Sequence, residues 1–376
     1  MGRQPLKLTT AATLLTAGAV LVPPAGPASA SVTSAEGRGA SPTVQVLTED
    51  VVAPLKLAVH EGQIYVGDAA RSTLSKLGTS APIATGPQPG EIAGVDVEPS
   101  GKAVAYAAMD RRTDKGTVTI LRPGKTAVVA DVSGFEREKN PDGALFYGAR
   151  TSDPCVRDAL AKLPLPTPRP ANYQGVVESH PYAVAADGRG GWYVADASAN
   201  DVLRVNEAGE VSLVAVLPPQ PHTFTAKDAK ALDLPSCIVG VRYAFESVPT
   251  DVEVDSDGAL YVSTMTGGPL DLRLGARGGV YRVDPATGTT KQVVTGFGGA
   301  VDLALGRNGQ IYVAELYSGQ ISVVDRGRSG AVAKPLVKLP YVVAVEFDGG
   351  SLYASTLSPD YLEGKTTGHG SVVKIG

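Results

Sequence analysis

Apolar and polar positions alternate along most of this chain in short runs, and the runs come in sets. The clearest copies are Gly62-Gln63-Ile64-Tyr65-Val66, Gly258-Ala259-Leu260-Tyr261-Val262 and Gly309-Gln310-Ile311-Tyr312-Val313. Gly191-Trp192-Tyr193-Val194 and Gly350-Ser351-Leu352-Tyr353-Ala354 are close variants, and Gly101-Lys102-Ala103-Val104-Ala105-Tyr106 is a worn copy. Ahead of the glycine lies a second alternating run, as in Thr250-Asp251-Val252-Glu253-Val254, Val301-Asp302-Leu303-Ala304-Leu305, Tyr182-Ala183-Val184-Ala185 and Val343-Ala344-Val345-Glu346-Phe347. A period of two means strands. Asp257-Gly258, Asn308-Gly309 and Asp348-Gly349 lie between the runs and accept the positive φ of a tight hairpin.

A third run follows each pair (Val280–Val283, Val202–Val205, Gln320–Val324), and a fourth reads in Lys291–Val294 and Val211–Val214. Four hairpin-linked strands recurring at a fixed period predict an all-β fold, a six-bladed β-propeller of four-stranded antiparallel blades. The marker tyrosines give the period: 41 residues separate Tyr65 from Tyr106, and 41 again separate Tyr312 from Tyr353. The intervals from Tyr106 to Tyr193 and from Tyr193 to Tyr261 are longer by 46 and 27 residues. These are insertions, at about 133–179 and 218–247, and both should emerge on one face of the ring. Six blades therefore account for residues 43–376 as a single domain. The chain ends on a third strand, Ser371–Ile375, while Thr43–Leu47 has no other partner. The N-terminal strand is expected to complete the last blade, which removes two exposed sheet edges.

The first residues do not belong to this pattern. Arg3 and Lys7 form a basic start, Leu8 to Val22 is apolar, and Ala28-Ser29-Ala30 is a small-residue cleavage site. Residues 1–30 read as a secretory signal peptide cleaved after Ala30, and 31–42 as a disordered lead-in. The expected destination is extracellular, without a membrane anchor. Loss of Arg3 and Lys7 takes the formal charge from −4 to −6, and no basic patch stands out, so nucleic acid is not an expected partner. No exposed apolar strand calls for an obligate oligomer, so a monomer is expected.

Each insertion carries one of the two cysteines, Cys155 and Cys237. An exported pair is usually oxidised, and the bridge would close a loop of about 80 residues. The alternative is a reactive thiol, because Asp153-Pro154-Cys155 opens a short helix through Arg157, Leu160 and Leu163, and a helix start lowers a thiol pKa. With a bridge, the insertions form a tethered cap.

Loops from every blade converge at a propeller's mouth, the usual place for a ligand. Asp68, Asp196 and Glu315 follow the Tyr-Val pattern on the capped face, with Thr264 and Thr356 at matching places. These five form the candidate ligand-binding face, although recurrence by blade also suits turn-capping. His180, Asp251 and Asp302 should lie near the central channel and are the candidates for catalysis. No cofactor is expected; a divalent metal at Asp251 and Asp302 is the alternative. Asp255-Ser256-Asp257-Gly258 starts like a calcium loop but has Thr264 where the acidic twelfth position belongs. No G-x-S-x-G, H-E-x-x-H, phosphate-loop or dinucleotide motif is present.

One resemblance runs through nearly the whole chain after the leader. Ser179–Ala185, Trp192–Ala197, Val216–Gln220, Cys237–Gly240 and Tyr243–Glu246 carry it, with Pro249–Val254, Leu274–Gly278 and Tyr312–Leu316. These segments resemble the ScyD/ScyE family of secreted bacterial proteins, which implies an NHL-like propeller and supplies no agreed catalytic residues. The metal-dependent lactonases of the gluconolactonase type are more distant. Their first blade opens with a glutamate ligand, whereas Val51-Val52-Ala53-Pro54-Leu55 here contains no acid. Two functions follow as expectations. The first is a binding or scaffolding module that recognises a small molecule, peptide or protein on its capped face. The second is an extracellular metal-assisted hydrolase or lyase, with its site at the channel mouth.

Overall fold

The computed structural model describes residues 42–326 and 332–376. The expected signal peptide and almost all of the lead-in lie outside them. The described residues contain seven four-stranded sheets. Six follow the predicted repeat; five of these run outward in chain order from an inner strand, and in the sixth the outermost strand is the first of the chain. The inner strands are Pro54–His60, Gly90–Val97, Pro181–Ala186, Pro249–Val254, Ala300–Leu305 and Val342–Asp348. Each touches the next, and Val342–Asp348 returns to Pro54–His60, so the inner strands form a closed circle. The architecture is a β-propeller.

The sixth sheet is assembled from both ends of the chain. Val44–Thr48 pairs antiparallel with Ser371–Ile375, placing Val44 opposite Ile375 and Val46 opposite Val373. Thr43 and Gly376 exchange backbone bonds of 2.7 and 3.1 Å at the margin. Hairpin glycines take the predicted role, with φ of 81° at Gly258 and 79° at Gly309, where a β-carbon would be strained. Trp192 is buried among Val184, Val194 and Leu203.

One irregularity recurs around the ring. In every inner pair the register slips near the start of the strand: between Pro54 and Lys56, Pro181 and Ala183, Pro249 and Asp251, Ala300 and Asp302, and Val342 and Ala344. A further slip lies between Ile92 and Val95. Bulges re-aim side chains. Here they turn Leu55, Tyr182, Thr250 and Val301 toward the channel mouth.

The seventh sheet comes from the insertions, in the order Asn172–Gln174, Phe146–Gly148, Arg242–Phe245, Gln220–Thr223. The sequence pattern indicated short helices in this cap but not a sheet shared between its halves. Helices Val132–Lys139, Pro154–Leu160 and Ala226–Ala231 flank it. The cap has its own core of Val156, Leu160, Phe224, Ile238, Tyr243 and Phe245. Cys155 and Cys237 are bonded across it, with Cα atoms 6.3 Å apart. Among the described residues no helix is long and apolar enough to cross a membrane.

Candidate ligand site at the channel mouth

Asp251 and Asp302 are brought together, but around a lysine. The Lys56 ammonium lies 3.0 Å from Asp251 Oδ1 and 3.1 Å from Asp302 Oδ1, and donates to the Val301 carbonyl at 3.1 Å. All three ammonium protons are thereby used. Asp251 Oδ2 accepts from the Leu303 amide, and Asp302 Oδ2 from the Val345 amide, so the carboxylates also link neighbouring blades. Burial works to lower the lysine pKa, but the two carboxylates outweigh it and raise it. Burial, together with repulsion from Asp251, pushes Asp302 well up. Two residues further along the inner strands, Asp96, Glu253 and Glu346 continue the channel. Burial raises Asp96 to about 7 against two backbone bonds from Ala186 and Val97.

His180 belongs to a different layer. Its Nε2 lies 2.5 Å from Glu91 Oε1, and Arg111 Nη2 lies 2.6 Å from Glu91 Oε2. The Tyr182 ring lies between this layer and the lysine, edge-on to His180 at 5.8 Å and with its centroid 5.4 Å from the Lys56 ammonium. The three catalytic candidates thus do not face a common point. Among the described residues no three acidic, cysteine or histidine side chains are placed to hold one metal ion.

The five residues of the candidate ligand face are occupied within the fold. Asp68 accepts from the amides of Val52 and Ala53 at 2.9 and 3.1 Å. Asp196 accepts from the Ser179 hydroxyl at 2.6 Å and from the His180 and Ala199 amides. Glu315 accepts from the Gly298 amide at 2.7 Å, from Gln320, and from the Ser322 hydroxyl. Thr264 bonds Gln220 at 3.1 Å, and Thr356 bonds Ser371 at 2.8 Å. Four of the five are fully buried, and Thr356 is half-buried. Their bonds close turns and hold strands to neighbouring segments.

Two hollows open on this face. One sits over the channel, floored by Leu55, Tyr182, Met265, Val301 and Tyr361, with Glu91 and His180 in its wall. The other lies under the cap between Arg169, Tyr173, Glu178, Phe245 and Glu246. There Arg169 forks onto Glu178 at 3.0 and 2.5 Å, and the Tyr173 hydroxyl donates to Glu246 at 3.0 Å. Ala197 and Val248 line both hollows, so the two lie side by side along the cleft between the channel mouth and the cap.

Sequence reasoning missed Lys56, Glu91 and Arg111. A signal for the lysine exists: Pro54-Leu55-Lys56, Pro249-Thr250-Asp251 and Ala300-Val301-Asp302 put a charge at the same step of three otherwise apolar strands. Opposite charges at equivalent ring positions point to an ion cluster at the axis.

No protein-family model and no curated protein sequence matches the chain. Solved structures do. A putative glucose dehydrogenase from Thermus thermophilus is 15% identical over 89% of this chain and 100% of its own, with a TM-score of 0.51. The PQQ-bound aldose sugar dehydrogenase from Streptomyces coelicolor is 13% identical, covering 90% and 99%, with a TM-score of 0.50. A virginiamycin B lyase from Staphylococcus aureus is 12% identical, covering 83% and 80%, with a TM-score of 0.47. What these share with the chain is the propeller fold.

Proposed function

We propose that this chain is an exported, six-bladed propeller of the ScyD/ScyE type that binds a ligand in the cleft between the channel mouth and the cap. In this reading the six sheets around the axis are the blades, and the seventh is the cap that roofs the site. It acts as a recognition module and not as a metal-assisted catalyst. The observation that carries the reading is the pair of adjoining hollows that share Ala197 and Val248, under a cap braced by its own sheet and a disulfide. Concave sites with a mostly apolar wall and a few convergent polar groups suit small ligands or a peptide side chain. Against metal chemistry, an ion at Asp251 and Asp302 would have to displace the Lys56 ammonium from both.

The test is a thermal-shift screen of small molecules and peptides on residues 31–376, run beside Val248→Trp, which fills the junction of the hollows. Ligands that raise Tm in the parent and lose that effect in the variant support the cleft. Binding that is indifferent to the tryptophan moves the site elsewhere.

A second reading, hydrolase or lyase chemistry, is favoured by one observation: an imidazole held by a carboxylate in the mouth. Turnover of a lactone or ester that is lost in His180→Gln would establish it.

A further inference from the structure

Among the described residues, His180 Nδ1 is the one fully buried side-chain polar atom in the lining of the mouth hollow without a hydrogen-bond partner. Of its polar lining, Thr250 Oγ1 bonds Ser263 and the Ala300 carbonyl. Both Glu91 oxygens are taken, one by His180 and one by Arg111. His180 Nδ1 is buried and has no partner among the described residues. The side chain is 7% exposed and lines the hollow.

The state of this imidazole is set by its neighbours. Burial lowers its pKa, but Glu91 overrides burial and raises it, with Asp196 adding to the effect and Arg111 opposing it. The charged and titratable groups around it are Glu91 and Arg111 from the second sheet, Asp196 from its own, and Tyr182 below; Tyr361 faces the same hollow. Asp196 turns away into the Ser179 hydroxyl and backbone amides. In the imidazolium form both ring nitrogens carry protons, and only Nε2–H has an acceptor. A buried donor left without an acceptor is costly, and one supplied by a ligand recovers that cost. Arg111, part-exposed, pairs with the other oxygen of Glu91 behind this wall. A cationic N–H bonds an anionic acceptor more strongly than a neutral one, which favours a carboxylate at this atom.

We propose that the inner end of the cleft binds a small apolar molecule bearing a carboxylate. Its carboxylate accepts from His180 Nδ1–H, and its apolar body lies on Leu55, Tyr182, Val248 and Met265. This deepens the cleft reading and rests on it. Charge-assisted hydrogen bonds are roughly twice as strong as neutral ones, so the acid should outrank its uncharged analogues.

The experiment uses hexanoate, hexanol and hexylamine, matched in chain and different in head group, titrated calorimetrically into residues 31–376. The expected order is hexanoate tightest by about tenfold over hexanol, with hexylamine weakest. The advantage of hexanoate should vanish in His180→Gln, whose amide can still bond Glu91, and should fade as pH rises through the histidine's pKa. Should that variant misfold, nitrogen NMR of the parent protein decides, since hexanoate but not hexanol should shift the His180 Nδ1 resonance. Equal affinity for hexanoate and hexanol, or an unmoved His180 resonance, overturns the proposal. So does failure of all three to bind, while ligands sensitive to Val248→Trp would still uphold the cleft itself.

Discussion

The axis of the ring and the root of the cap both bury carboxylates, and they manage them differently. At the axis, Asp251 and Asp302 share a lysine whose three protons are all used. At the root of the first insertion, Glu136, Asp142, Asp196 and Asp201 are gathered without a comparable cation. Asp201 is fully buried, and neither of its carboxylate oxygens has a partner among the described residues. Asp142 is held by neutral donors instead, the Tyr147 hydroxyl and the Asn200 amide, each at 3.0 Å. Burial followed by repulsion from Asp196 and Asp142 drives Glu136 up to about 8, and burial drives Asp201 well above its ordinary value. A buried charge can be matched by an opposite charge or removed by a proton. The axis meets Asp251 and Asp302 with a shared ammonium while burial still pushes the Asp302 carboxyl up, and the cap root, with no such ammonium, relies on the proton alone.

The comparison breaks most sharply at the lysine. Lys56→Met leaves two buried carboxylates uncompensated and should cost about 3–5 kcal/mol in denaturant unfolding. Lys56→Met with Asp251→Asn and Asp302→Asn should recover much of that loss. A triple variant no better than the single one would mean that packing, not charge, dominates at the axis.

Next is the cap. Cys155→Ser with Cys237→Ser frees a loop with a sequence separation of 82 and should cost about 2–4 kcal/mol. The loss should appear first as faster hydrogen exchange in 146–174 and 220–245, with the ring still protected. Uniform loss of protection would show that the cap is an integral part of the ring.

The third test is pH. A carboxyl whose folded pKa is raised holds its proton more tightly when folded. Its contribution is therefore full below the unfolded value near 4.5 and is lost as pH rises to about 8. Unfolding free energy should fall between those limits, and Glu136→Gln should flatten the fall by about 1.4 kcal/mol or more, the equivalent of one pKa unit. The smallest effect belongs to the exposed Arg282–Asp257 pair at 2.8 Å, where Asp257→Asn should change stability by less than about 1 kcal/mol.

The ring was legible in the sequence because every blade restates it. Alternation, hairpin glycines and a 41-residue period are local signals, and even the pairing of the two chain ends followed from an unpartnered strand at each. The site was less legible, because its bonds join blades far apart in sequence. Asp251 and Asp302 could be placed at the channel, but their partner Lys56 lies 245 positions from the carbonyl it also bonds. Glu91 and His180 are 89 positions apart. Recurrence by blade marked Asp68, Asp196 and Glu315, and that recurrence coincides with a shared structural task, the closing of turns. The cap sheet was hidden for another reason. Its strands are three or four residues long, too short to show a period, and they pair across two insertions.

Closure by the first strand also sets a schedule. Residues 44–48 leave the ribosome well before their partner, residues 371–375, so the last sheet cannot assemble until the sheets between them have been made. Until then the first strand waits with both edges open, and the ring has a gap between the blade that starts it and the blade that finishes it. A nascent chain stalled or clipped before residue 371 would carry the earlier sheets and an unfastened clasp. Quality control acting on such a chain has a single structural event to read: whether its two ends have met.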